Sequence, residues 1–364
     1  MSDPSIPTTA PARLRNRDKK NPQPDTTPKT NPKQDSTTPK PEERGDQVRA
    51  TVSQALRSPE FTTGLKYGAV AVAVGLVIAF VWHQVRKRPA PIAGIVFGAG
   101  AILALRDAVG VPDGLLVALA MLAGGTALAE MLRLPPALEL AAAVPGAILV
   151  TREIPQPTEG WVSGLLVLTI VLGGAAAGSF DHRWRRRGIG PVVAAITILG
   201  IYVCVPETKR VLVLLGVALP LPLMGWPFAV ASLGRAGSYT FVAVALWAAA
   251  FDGATRSSAI IGSVASLGLL VAEPAMRAIA GRRGPLELIP DRIPAWLWVA
   301  PVALIHLAIV FVSSRVAGLR ATTGEALSVV AAEAIALVCV SLGLRFWAPP
   351  PLPKVRTRPR RPSG

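Results

Sequence analysis

Cysteine is nearly absent from this chain: Cys204 and Cys339 are the only two in 364 residues. Both fall inside apolar runs, where a small thiol packs as a hydrophobe, so neither a disulfide framework nor a cysteine-built metal site is implied. Charge is also thin, at 16% of residues against 51% hydrophobic. Soluble domains carry about 25% charged residues, which excludes the two soluble domains that the length alone would suit. Catalytic signatures are missing as well. Nucleophile elbows, Walker loops, HExxH, paired CxxC and a glycine-rich dinucleotide fingerprint do not occur, so no cofactor is expected. The long apolar runs lack the alternation of a membrane β-barrel, which leaves helices as the only way to satisfy the backbone in lipid.

What is present is hydrophobic sequence punctuated by charge. Mean hydropathy is +0.46 even though the polar N-terminal region is included. Apolar runs near residues 65–82, 91–105, 114–132, 136–150, 161–180, 189–205, 210–233, 238–251, 258–280, 294–314 and 326–346 predict an all-α polytopic integral membrane bundle of about 10–11 spans. Runs 91–105 and 136–150 are short against the roughly 20 residues a crossing wants. Residues 1–45 are rich in Pro, Thr and Lys and too polar to bury a core, so a disordered tail is expected there. An amphipathic interfacial helix is expected within 46–63, the membrane domain over 64–347, and a basic Pro/Arg-rich tail over 348–364.

The net charge of +16 does not require nucleic acid, because arginines concentrate in short loops and at the termini, as the positive-inside rule leaves them. Anionic lipid headgroups at the basic loops, and the bilayer itself, are the expected partners. Loops with Arg86-Lys87-Arg88, Arg133, Arg183 to Arg187, Arg235 and Arg282-Arg283 alternate with loops bearing acids near Asp107 to Asp113, Glu153, Glu207, Asp252 and Glu325. This alternation predicts serial helical hairpins of one orientation, with the C-terminus cytoplasmic. An odd number of spans would put the N-terminus outside; demoting one short segment keeps both termini cytoplasmic, and the second arrangement is the expectation adopted. Composition resembles that of a GC-rich bacterial genome, making the cell (inner) membrane the expected location.

Charged groups at mid-bilayer cost at least about 2.5–3.5 kcal/mol on insertion scales, so intramembrane ionisable residues are candidate functional groups. Glu130 and Glu273 have arginines three and four residues on, and Glu139 begins its segment after Pro135-Pro136, so all three have local structural explanations. His306 and Glu333 do not. If 294–314 and 326–346 form an antiparallel hairpin about a loop centred near position 320, the two lie at matching depth and can form a Glu–His pair able to exchange a proton. A structural interhelical pair, or two residues that never meet, are the competing outcomes. The second candidate is the stretch Leu219 to Pro227, where Pro220, Pro222 and Pro227 must kink or unwind a span and could line a cavity. The run from Phe180 to Gly188 offers Asp181 and His182 beside four arginines, two ligands where a metal wants three or four, and a stop-transfer loop accounts for it.

Three functions fit these features: a transporter or permease-like protein for a small molecule, lipid or ion; a non-enzymatic membrane scaffold or assembly factor; and an intramembrane enzyme on lipid-linked substrates. The last has no cluster of acids and bases at one depth to support it. The scaffold alternative predicts that deleting residues 1–45 abolishes capture of cytosolic partners without affecting membrane insertion; unchanged capture would remove the tail from consideration.

Overall fold

The computed structural model describes residues 53–155, 160–205, 208–253, 256–280, 286, 294–318 and 322–347. The expected tails, 1–45 and 348–364, lie outside the described residues. Among those residues the only regular structure is helical, apart from one isolated bridge. The helices are α1 Pro59–Arg86, α2 Ala93–Ala108, α3 Asp113–Met131, α4 Pro136–Arg152, α5 Trp161–Trp184, α6 Ile189–Cys204, α7 Lys209–Ala218, α8 Arg235–Gly253, α9 Ser257–Ala265, α10 Leu269–Ala280, α11 Ala295–Gly318 and α12 Thr323–Trp347. Among the described residues three helical stretches, Pro59–Arg86, Asp113–Met131 and Trp161–Arg187, are long and apolar enough to cross a membrane, and a fourth is gained if the bent pair α9–α10 counts as one span. Residues 53–57 form a separate turn of helix, because Ser58 turns extended and its hydroxyl accepts from Phe61 N at 3.1 Å, capping α1. The stretch 46–63 therefore divides at Ser58, with 46–52 outside the described residues.

Helix α8 organises the rest. Every residue from Ala236 through Ala250 is buried, the pattern of a helix surrounded by protein on all sides. Its alanine-rich sequence admits neighbours at close range: α5, α2, α3, α9 and α7 all pack against it. Gly94 of α2 meets Gly237 backbone to backbone, and a side chain on Gly98 would come 2.6 Å from the Thr240 methyl. A similar seam joins α1 to α7, where Gly64 and Gly68 lie on the backbone of Val213 and Val217, the small-residue spacing that lets helix backbones approach closely. On its far side α1 exposes Val70, Val74, Val77, Ile78, Phe80, Val81 and Val85.

The serial-hairpin expectation is met unevenly. The pairs α1–α2 and α3–α4 pack as neighbours, but the principal partner of α5 is α8, that of α6 is α11, and α12 packs more on α10 than on α11. The central helix accounts for the first of these, since it collects partners from distant parts of the chain. The run 210–233, expected as one span, is not one helix. It is α7, a single turn at Pro222–Gly225, and an irregular strap leading to α8. The prolines cause this: Pro220 follows the end of α7, Pro222 starts the single turn, and Pro227 stands in the strap just past it. The run 258–280 is likewise broken, with α9 and α10 meeting at 63° around Ser266-Leu267-Gly268.

Charged residues sort to the two ends of the bundle. Arg86, Arg88 and Arg185 line one cavity, and Arg235 bonds Glu139 at 2.8 Å at that same end. At the other end Arg210 bonds Asp252 at 2.7 Å and Lys209 lies 3.5 Å from Glu60. The packing makes a direct prediction. Gly94→Ala must push α2 off α8 and lower stability by about 1–3 kcal/mol, read as a lowered thermal midpoint in detergent. Gly124→Ala, where a side chain meets nothing within 4 Å, should leave the midpoint unchanged or raise it.

Candidate functional site

Two junctions concentrate the buried polar chemistry, and each sits at a break in a helical run. The first is the strap ahead of α8. A helix start leaves N–H groups without intrahelical acceptors, and α8 starts inside protein. Asp181, in the last turn of α5 and almost fully buried, supplies the acceptors: Oδ1 takes Leu233 N at 2.8 Å and Oδ2 takes Gly234 N at 3.0 Å. Two negatively charged oxygens at a helix N-terminus also complement its dipole. The strap is held from the other side by α2 and the residues before it. Ala90 N donates to Val230 O at 2.9 Å, Ser232 N to Ala90 O at 2.8 Å, and Ala93 N to Ser232 O at 2.9 Å. Gly234, at φ +75°, packs on Pro91. One carboxylate thus joins α5, the strap and α8, while the strap joins α2.

Pro220, Pro222 and Pro227 all stand in this broken region, as expected of them. The turn they shape buries Met224 while Leu223, Trp226 and Phe228 stay exposed. A cavity of about 450 Å³ opens beside the strap, lined by Trp82, Arg86, Arg88, Pro89, Pro91 and Arg185; the three prolines are not in its lining.

The second junction is the α9–α10 elbow. Its backbone turns at Gly268, with φ +45°, and a side chain there would come 2.7 Å from the His306 ring. His306, on α11, is fully buried and closes the break. Leu269 N, the first residue of α10, donates to Nδ1 at 3.2 Å, and Nε2 lies 3.0 Å from the Thr197 hydroxyl on α6. Because Nδ1 accepts, the bonding pattern assigns the ring proton to Nε2, which donates to Thr197; Thr197 in turn donates to Val193 O at 3.0 Å. The ring is neutral and both nitrogens are engaged. Ser266, in the break, lies 3.5 Å from Cys204 Sγ. One turn into α10, Glu273 is fully buried and accepts from Arg277 at 2.6 Å, the partner that its four-residue spacing predicts.

His306 has Thr197 and the Leu269 amide as its partners. Glu333 belongs to α12, but its side chain lies outside the described residues. Among the described residues no group of three or more His, Cys, Asp or Glu side chains could hold a metal. The part taken by Asp181 is hidden in the sequence, where its setting among arginines reads as a stop-transfer loop; the one available signal is an acid in an otherwise basic helix end. No family model, curated protein or solved structure matches the chain.

Asp181→Ala leaves two buried N–H groups without acceptors. It should destabilise the chain by at least about 2 kcal/mol, measured as a fall in thermal midpoint, whereas exposed Arg186→Ala should change the midpoint little.

Proposed function

We propose that this chain is a transporter or permease-like integral membrane protein for a small molecule, lipid or ion, with the α9–α10 elbow as its moving part and His306 as a proton-responsive latch. The observation that carries this reading is the neutral, fully buried imidazole accepting the first N–H of a half-helix at a break. Broken helices at membrane depth are tolerated where they are buried in protein or line a cavity, and transporters use them as binding and hinge elements. A proton added at Nδ1 would turn that acceptor into a donor facing Leu269 N–H. The latch bond would be lost, and α10 would be free to change its angle to α9. Histidine is suited to this task because one added proton changes both its charge and its bonding role.

The remaining apolar helices, α2, α4, α6 to α8, α11 and α12, complete a bundle of ten or eleven crossings in this reading. The arginine-bearing end faces the cytoplasm by charge bias, in a bacterial cell membrane. Helix directions then support an outward-facing Pro59 at the start of α1, rather than the arrangement in which one short segment fails to cross.

The test separates latch from support. His306→Asn retains an oxygen acceptor for Leu269 N–H but does not titrate, whereas His306→Ala empties the site. In proteoliposomes screened with a panel of small molecules, lipids and ions, wild-type uptake should depend on pH, and His306→Asn should lose that dependence while keeping its thermal midpoint. An unchanged pH profile in His306→Asn, or a loss of stability equal to that of His306→Ala, would overturn the proposal.

A further inference from the structure

The cavity beside the strap is independent of the elbow, and its lining has a definite chemistry. Three guanidinium groups, on Arg86, Arg88 and Arg185, converge on a volume of about 450 Å³ with one indole, Trp82, and two prolines. None of the three arginines has an ion-pair partner among the described residues. Arg86 lies over the Trp82 ring at 5.7 Å, a contact that orients the guanidinium and leaves its charge unneutralised. Asp181, four residues before Arg185, feels the charge of that guanidinium, but both of its oxygens accept from the strap amides. Other arginines at this end are differently placed: Arg235 is bonded to Glu139, and Arg187 stacks 3.6 Å over the Trp298 ring.

We infer that this cavity is a binding site for a phosphate group, held by Arg86, Arg88 and Arg185. Guanidinium forks match the paired oxygens of a phosphate and bind it bidentately. Arg185 comes from the end of α5, Arg86 from the end of α1, and Arg88 from the loop tied to the strap by the Ala90 bonds. A bound phosphate would therefore link three separately anchored parts of the chain. A volume of this size exceeds a bare phosphate ion and suits a phosphate carrying an organic substituent. Two sources supply that chemistry: an anionic phospholipid headgroup and a soluble phosphate. Ile78 and Val74, one and two turns before Trp82 on the same face of α1, are exposed and offer an apolar track for acyl chains. Basic pockets at helix ends hold lipid headgroups in this way.

The experiment uses the full chain purified in neutral detergent. Binding of a fluorescent phosphatidylglycerol is compared with that of the matching phosphatidylcholine, with inorganic pyrophosphate as soluble competitor. Variants are Arg88→Gln, Arg185→Gln and Arg88→Lys, with Arg186→Gln as an exposed basic control outside the cavity. Arg88 is exposed, so its variants should fold, and unchanged thermal midpoints verify this. Phosphatidylglycerol should bind in preference to phosphatidylcholine. Arg88→Gln and Arg185→Gln should each weaken that binding by about tenfold or more, Arg88→Lys by less, and Arg186→Gln by little. Pyrophosphate that fails to displace the lipid supports a headgroup site; displacement supports a site for soluble phosphates. Absence of preference for the anionic lipid together with no pyrophosphate binding would overturn the inference. So would a loss in Arg186→Gln equal to that in the cavity variants, which would mean that surface charge alone is responsible.

Discussion

A helix buried without a break from Ala236 through Ala250 cannot leave the amides that lead into it to water, and α8 is such a helix. Its amides ahead of Arg235 are satisfied by Asp181 from α5, and the carbonyls of the same strap accept the first N–H groups of α2. Asp181 is itself nearly inaccessible, and a side chain at Gly190 would collide with its carboxylate. These contacts are mutually dependent. The strap cannot leave its extended path without orphaning both Asp181 and the start of α2, so burial of α8 against seven other helices rests on one carboxylate and one irregular segment.

The two broken runs differ in how tightly they are held. The strap is tied through a charged acceptor, several backbone bonds and close glycine contacts, and it behaves as a fixed joint. At the elbow the backbone bonds stay within the turn itself, Leu267 N to Val264 O and Gly268 N to Ala265 O among them, and the tie from α11 to the start of α10 is a neutral imidazole, which accepts one backbone N–H and donates to one hydroxyl. A bond to a neutral acceptor contributes roughly half of what a charge-assisted bond does, and this acceptor disappears on protonation. Motion is expected where constraint is weakest and chemically switchable. The arginine cavity lies against the fixed joint, which suits a role in anchoring more than in movement.

Much of the helical content was legible because apolar runs in a chain this poor in charge have few alternatives to membrane helices. The proline-broken stretch was legible for a local reason: Pro220, Pro222 and Pro227 forbid a continuous helix whatever surrounds them. Glu273 and Arg277 were legible because a four-residue spacing fixes proximity on one helix. Partners across helices were not. His306 stood out by its depth, but its engagement with Thr197 and Leu269 depends on the rotation of α11 about its axis and on α6 being its neighbour, neither of which leaves a trace in local sequence. Asp181 was obscured by Arg183, Arg185, Arg186 and Arg187, which impose a charge pattern sufficient to explain the segment without it. The elbow at Gly268 was also hidden, since nothing within Ser266-Leu267-Gly268 marks a break as strongly as proline does.

The central claim is that protonation of His306 releases the elbow. Spin labels at exposed Val203 on α6 and Ala278 near the end of α10, introduced as cysteines after replacing Cys204 and Cys339 with serine, measure it directly as a pulsed electron–electron distance. The account predicts a distance distribution that shifts as pH falls in the otherwise native chain and stays fixed at its neutral-pH form in His306→Asn. A distribution that does not move with pH, or that moves equally in His306→Asn, would contradict it.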